Sequence, residues 1–194
     1  MTKEDIRKKY IALRKNFSKK EILAMSLEIF SQFLENFEVF SGQNVHIFLS
    51  IEKFNEVDTQ IFINYFKEKG ANIFVPKMIG DQLIAVQLKE EEFLVKNSFG
   101  ILEPASIINE CANFDYVITP LLYVDNLGNR VGYGKGYYDQ FFSEINKNAK
   151  KIGVGFFVPD EDVEDFSTTD VALDYLITPD FMLSFKGLEK KSRK

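Results

Sequence analysis

Near the N-terminus the hydrophobic positions repeat with a helical period. Ile6, Tyr10, Leu13 and Phe17 recur at spacings of three and four, the apolar stripe of a first helix. Thr2 can cap that helix, with Asp5 in the capping-box position. A second helix has a fuller start signal: Ser18 as cap, Glu21 to close the box, and Phe17 to staple onto Ile22. Its apolar period carries it to about Asn36. Beyond that point strand-like runs alternate with helical ones. Residues 45–49 read as a buried strand, and a helix opens at Asp58 or Thr59 and ends before Gly70. Residues 72–75 form the next strand, stopped by Pro76, and Gly80-Asp81 turns into a strand over 83–88. Residues 116–119 are a strand stopped by Pro120, residues 136–146 a helix, and 151–157 and 175–178 short β-rich runs. Strands alternating with helices predict an α/β fold, one three-layer domain over residues 1–185 with a mainly parallel sheet flanked by helices. Residues 186–194 are basic and polar and read as a frayed tail.

Composition narrows the chemistry. Hydrophobic residues make up 45% of 194, enough for a substantial core. No apolar run approaches a membrane span, and the start lacks the apolar stretch of a secretory signal. The single cysteine, Cys111, excludes an intrachain disulfide and a cysteine-based zinc site, which fits a cytoplasmic setting. A net charge of −5 argues against a nucleic-acid footprint, so an anionic ligand must be held by local basic groups. The single histidine, His46, lies in the run NVHIFLS and reads as a buried core residue.

The chemistry concentrates between Tyr116 and Phe142. A strand ends at Pro120, and a loop with Asp125, Gly128 and Arg130 leads to three alternating glycines, Gly132, Gly134 and Gly136, with Lys135 among them. A helix follows with Tyr137, Tyr138 and Asp139. Ligands of open α/β sheets bind outside the carboxyl ends of the strands, where this loop should lie. Glycines let backbone N–H groups approach phosphate oxygens, and a helix N-terminus adds partial positive charge. Arg130 and Lys135 add full charges, and Asp139 could hold Mg²⁺. A dinucleotide fingerprint would need glycine at 137, where Tyr137 stands. A P-loop would need glycine at 129 and a hydroxyl at 136, where the chain has Asn129 and Gly136. A bare strand-to-helix turn remains the plain alternative, which the charged residues weigh against. On the first helix, Lys3, Arg7 and Arg14 lie on or near one face.

The run GNRVGYGKGYYD resembles the signature of the 5-formyltetrahydrofolate cyclo-ligase family: Arg, any, Gly, any, Gly, Gly or Lys, Gly, Tyr or Phe, Tyr, Asp. KEDIRKKYIALR, FLSIEKFNEVDT, NIFVPKM, SFGILEP, FDYVITPLLYVD and VALDYLIT resemble the family's other segments in order. The resemblance implies ATP-dependent cyclisation of 5-formyltetrahydrofolate to 5,10-methenyltetrahydrofolate with Mg²⁺, small-molecule substrates only, and no nucleic acid, membrane or obligate protein partner. It implies that Lys3, Arg7, Arg130, Gly132, Gly134, Lys135, Gly136, Tyr137 and Tyr138 bind ATP, with Arg130 and Lys135 acting on the phosphoryl group. It further implies that Leu49, Glu56, Tyr133, Gly134, Lys135, Gly136 and Tyr137 meet the folate, and that Asp139 and Asp174 are magnesium-associated. Lys3 and Arg7 should therefore come close to the glycine loop. Gln140 stands where a basic residue often follows the signature aspartate, and Thr169 where a histidine often precedes Asp170. The family also admits glycine at the position of Lys135. Two extra residues lengthen the turn before Glu56, which leaves Glu52 as an alternative pterin contact. Two other functions compete: a sugar-phosphate isomerase using the loop for its substrate's phosphate, and a nucleotide- or folate-sensing module without turnover.

Overall fold

The computed structural model describes residues 1–89, 94–96, 102–108 and 113–187. Cys111, residues 98–101 of the segment SFGILEP and the tail beyond Gly187 lie outside the described residues. In chain order the elements are α1 (Lys3–Lys15), α2 (Lys19–Asn36), β1 (Asn44–Ile47), a 3₁₀ turn (Glu52–Phe54), α3 (Gln60–Glu68), β2 (Asn72–Ile79) and β3 (Gln82–Gln87). Next come β4 (Leu94–Lys96), β5 (Leu102–Pro104), β6 (Tyr116–Pro120), β7 (Tyr123–Val124), β8 (Arg130–Val131) and α4 (Tyr137–Glu144). The last three are β9 (Lys150–Val154), β10 (Tyr175–Ile177) and β11 (Met182–Ser184).

Seven strands form one sheet in the order β11-β10-β9-β6-β1-β2-β3. The five from β10 to β2 are parallel, and β3 and β11 add antiparallel edges. The sheet is buried on both faces, as a parallel sheet must be. Alternate residues Val45, Ile47, Ile73, Val75, Ile118 and Ile152 pack against Ile29 and Phe33 of α2 and Phe62 and Phe66 of α3. The opposite face places Phe74, Val117 and Leu176 against Tyr138, Phe141 and Phe142 of α4. Helices therefore cover both faces, the expected α/β architecture.

The helix starts follow their caps. Thr2 Oγ1 accepts the Asp5 N–H at 3.2 Å, and Ser18 and Glu21 make the complete capping box. Asp58 accepts the Gln60 N–H at 2.9 Å, so α3 opens where its polar start signal lies. Two strand ends and one helix face depart most from the sequence reading. First, β1 ends at Ile47 instead of Leu49, because the Thr59 hydroxyl takes the Phe48 carbonyl at 2.8 Å and turns the chain out of the sheet. Second, β2 continues through Pro76. Its pairing with β1 stops at Phe74, so from Val75 onward β3 is its only ladder partner among the described residues, and a missing N–H is tolerated on such a strand. Third, the stripe of α1 runs Ile6, Tyr10, Arg14: Leu13 is exposed, and Arg14 continues the four-residue line into the interior.

His46 is the core residue its context suggests, on the face covered by α4 between Phe114 and Phe141. Neither ring nitrogen has a hydrogen-bond partner, and burial pushes its pKa down from 6.5 to about 3. The unfolded chain therefore binds a proton that the folded chain refuses. Stability is present in full above pH 6.5 and falls as the pH drops towards 3, by about 1.4 kcal/mol per unit. His46→Leu, similar in volume and without the proton, should flatten the acid limb of a melting-temperature profile. An unchanged profile would show that other groups set it.

Candidate functional site

Strand order reverses at β1, with β2 on one side and β6 on the other. This is a topological switch point, where open α/β sheets bind their ligands. A cavity of about 610 Å³ lies there, within the usual range for small-molecule sites. Phe48 and Leu49, freed by the early end of β1, form one wall, and Pro120 and Leu121 at the end of β6 another. The glycine loop, Gly132–Gly136, closes one end between β8 and the first turn of α4. Gly134 and Gly136 both have positive φ, +88° and +72°, which a side chain disfavours. Lys3, Arg7, Arg130, Lys135, Tyr137 and Tyr138 all reach this end.

The segment after β6 is a small hairpin of β7 and β8, not a plain loop, so Arg130 sits on a strand. Asp125 holds the hairpin turn, accepting from the Leu127 and Asn129 N–H groups at 2.9 Å each and from the Asn129 amide at 2.7 Å. The same hairpin carries α1 to the site: Ile6 and Tyr10 pack on Leu122, Tyr123 and Val131. Residues 125 positions apart then meet, with Arg7 Nε donating to the Gly132 carbonyl at 2.9 Å. The expected approach of Lys3 and Arg7 to the loop is what the structure shows.

Charge at this end is organised in two pairs. Arg130 Nη2 contacts Asp139 Oδ2 at 3.1 Å, and its guanidinium lies over Tyr138 at 5.4 Å. Asp139 Oδ1 accepts the Val171 N–H at 3.1 Å. Lys3 pairs with Asp170, which also accepts the Ser167 N–H at 2.6 Å. Asp170 lines the cavity and Asp174 does not. Asp174 accepts the Lys151 N–H at 2.8 Å and pairs with Lys151 Nζ at 3.1 Å, ahead of β10 and at the amino end of β9. The two aspartates paired by the sequence reading are thus not brought into one site. VALDYLIT places its aspartate where a strand begins, away from the carboxyl-end crevice.

No group of three or more His, Cys, Asp or Glu side chains that could hold a metal occurs among the described residues. Mg²⁺ usually takes only one or two carboxylates and fills its octahedron with waters and phosphate oxygens. Asp139, with Asp170 on the same wall, fits a magnesium ion carried by a phosphate ligand and not a preformed protein cage.

The rest of the cavity lining is mostly apolar, with Lys53, Glu56 and Glu103 as its charged members, and Glu56 is buried and accepts the Ile51 N–H at 2.8 Å. Burial raises its pKa, while the Ile51 N–H, Arg14 and Tyr133 pull the other way. The alternative contact, Glu52, is exposed, pairs with Lys19 and does not line the cavity. Arg14 is a buried cation whose Nη2 donates to the Leu121 carbonyl at 2.5 Å. Its role beneath Glu56 and Tyr133 escaped the sequence reading, although the line from Ile6 through Tyr10 pointed to it. Because burial raises the Glu56 pKa, the folded chain holds this proton more firmly than the unfolded chain. That contribution to stability is full below the ordinary value of 4.5 and is lost as the pH rises through the folded value. Glu56→Gln should therefore melt higher than the parent at pH 8 and lose the advantage near pH 4. A lower melting point at both pH values would show that the carboxylate braces the fold.

Residues 1–179 match the 5-formyltetrahydrofolate cyclo-ligase family. A probable 5-formyltetrahydrofolate cyclo-ligase of Schizosaccharomyces pombe is 29% identical over 81% of this chain and 85% of its own. The 5-formyltetrahydrofolate cyclo-ligase of Escherichia coli K12 is 28% identical over 73% of this chain and 80% of its own. Among solved structures, the 5,10-methenyltetrahydrofolate synthetase of Aquifex aeolicus superposes with a TM-score of 0.79 at 25% identity, covering 100% of this chain and 97% of that one. With the match running from α1 past β10, the chain belongs to the 5-formyltetrahydrofolate cyclo-ligase family.

Proposed function

We propose that the protein is an ATP-dependent ligase that closes 5-formyltetrahydrofolate to 5,10-methenyltetrahydrofolate, with release of ADP and phosphate. The observation that carries this reading is one cavity with two unlike ends. Cations with two aspartates, glycines and a helix N-terminus form one end, and a mostly apolar slot holding the buried Glu56, with Lys53 and Glu103 also in its lining, forms the other. The first suits phosphates, by N–H donors and full charges. The second suits a flat heterocycle, whose N–H groups Glu56 can accept while Leu49 and Phe48 cover its faces.

In the proposed reaction the formyl oxygen attacks the γ-phosphate of ATP, and ADP leaves. The folate's nitrogen 10 then attacks the activated carbon, the bond from that carbon to the phosphate oxygen breaks, and phosphate departs with the proton that nitrogen 10 loses. Such chemistry rests on in-line placement and on compensation of phosphoryl charge, and no histidine is required. Arg130 and Lys135 supply charge at the loop, Arg7 braces the Gly132 carbonyl, and Lys3 stands beside them. Magnesium, held by phosphate oxygens and met by Asp139, would supply further positive charge. The same reading places the enzyme in the cytoplasm, consistent with a chain of 194 residues holding one cysteine. Among the described residues no helix is long and apolar enough to cross a membrane.

The test is incubation with 5-formyltetrahydrofolate, ATP and Mg²⁺, following the methenyl chromophore and ADP together. Equal appearance of both is expected. Tight binding of either ligand without turnover would favour a sensing module instead, and turnover of a sugar phosphate without ATP an isomerase.

A further inference from the structure

The turn before Glu56 builds a feature that the cavity walls alone do not need. Its 3₁₀ turn, Glu52–Phe54, ends at Asn55, which is held at φ +48°, the left-handed region a non-glycine residue seldom enters. The Asn55 amide is fastened to the end of α1, donating to the Arg14 carbonyl at 2.9 Å and the Phe17 carbonyl at 3.2 Å. This anchoring puts the Phe54 ring on the cavity rim, 5.1 Å from the ring of Tyr133 in the glycine loop. Both residues stay 39% exposed, and the Lys53 ammonium lies 5.1 Å from the centre of the Phe54 ring, so the pair is an aromatic surface left partly open to solvent.

We propose that Phe54 and Tyr133 form a stacking rim for the aryl ring between the pterin and the glutamate of the folate. The inference rests on the folate reading above and deepens it. Position carries it. Tyr133 acts on Glu56, so the rim adjoins the slot assigned to the pterin. The rim is the solvent-facing side of that slot, and the aryl group is the next part of a folate outward from its pterin. Two exposed rings tilted by 37° offer the offset and edge contacts that an aromatic ligand prefers.

The experiment measures binding of intact 5-formyltetrahydrofolate and of a 5-formyltetrahydropterin lacking the arylglutamate arm, by calorimetry, to the parent, Phe54→Ala and Phe54→Tyr chains. Phe54→Ala should weaken the intact folate about fivefold to tenfold and leave the truncated pterin unchanged, and Phe54→Tyr should restore the loss. In turnover, the folate KM should rise while the ATP KM stays within about twofold, less than the loss of about 0.5 kcal/mol that even a weak aromatic contact would give. Equal losses for both ligands would show that Phe54 only supports the turn, and would overturn the proposal, as would no loss for either. If the parent binds the intact folate no better than the truncated pterin, the rim is also refuted. If it binds neither, the folate reading falls first, and the rim with it. Circular dichroism melting keeps a folding defect apart from these outcomes.

Discussion

Arg130→Ala is expected to lose about 10²–10³ in kcat, the usual loss when a preorganised donor aimed at developing charge is removed, and Lys135→Ala far less. Arg130 is preorganised: it stands on β8, its side chain is 8% exposed, and Asp139 and two rings fix its plane. Its Nε is buried without a partner, and a planar guanidinium can bridge two phosphoryl oxygens. Lys135 is exposed at the tip of the loop and has no ion pair among the described residues, so its charge is mobile and hydrated. The competing explanation is that Arg130 only braces the site. The brace is Asp139 and not Asp125, whose oxygens are taken up by the hairpin turn and the Val163 N–H. Removing Arg130 leaves Asp139 with the Val171 N–H alone, so some loss of melting temperature should accompany the kinetic loss. Arg130→Lys separates the two roles, since it keeps a charge near Asp139 and gives up the fork. Turnover is to be compared at saturating ATP and folate, well below each variant's melting point. Equal losses for the two alanine variants, or an active Arg130→Ala chain once folded, would put the essential charge elsewhere.

The parts of the fold written in local chemistry were legible in the sequence. Thr2 and Ser18 mark helix starts because a cap is a bond between near neighbours, and both are found in place, while at α3 Thr59 holds the cap position without a side-chain bond and Asp58 beside it accepts the Gln60 N–H. Periodicity found the helices and the strands of the sheet's centre, because burial on both faces demands unbroken apolar runs. It missed β11, a three-residue edge strand with partly exposed side chains, and the two-residue pairing of β7 with β8. Pairings that short depend on what lies opposite and not on composition. Pro76 misled for the same reason: whether proline ends a strand depends on whether a neighbour needs its N–H. The glycine loop was legible as a wall of the cavity because charge, glycine and helix start fall within twelve consecutive residues, GNRVGYGKGYYD. Asp170 was not, since its place beside Lys3 is made by a contact spanning 167 positions. Arg14 was hidden because a cation on a helix usually faces solvent, and only the third dimension shows this one beneath Leu121 and over the Phe156 ring.

Gly134→Ala should raise the KM for ATP at least about tenfold, and Arg7→Ala should do the same. A methyl at position 134 meets two obstacles. The backbone there holds φ +88°, which costs a side-chain-bearing residue about 1–2 kcal/mol. The new Cβ would also lie 3.0 Å from Arg7 Cζ and 3.1 Å from its Nε, the atom that donates to Gly132. The guanidinium must give by a few tenths of an ångström, and what resists that shift is its hydrogen bond to the Gly132 carbonyl. Displacing it releases the Gly132 carbonyl and lets the loop open, and about 1.4 kcal/mol of lost phosphate contact is a tenfold loss of affinity. Gly136 is the internal comparison. It has φ +72°, yet nothing lies within 4 Å of an added Cβ, so Gly136→Ala carries the backbone strain without the collision. Both glycine variants should therefore lose melting temperature, Gly134→Ala the more, since it adds the collision to the strain. They should differ in a double-mutant cycle with Arg7→Ala, measured as ATP affinity. Once Arg7 is gone, the alanine at 134 should add little to the ATP defect, whereas the alanine at 136 should add its full effect. Additive losses in both cycles would show that Gly134 is required for its backbone alone, and that the contact with α1 does not hold the loop in its phosphate-binding shape.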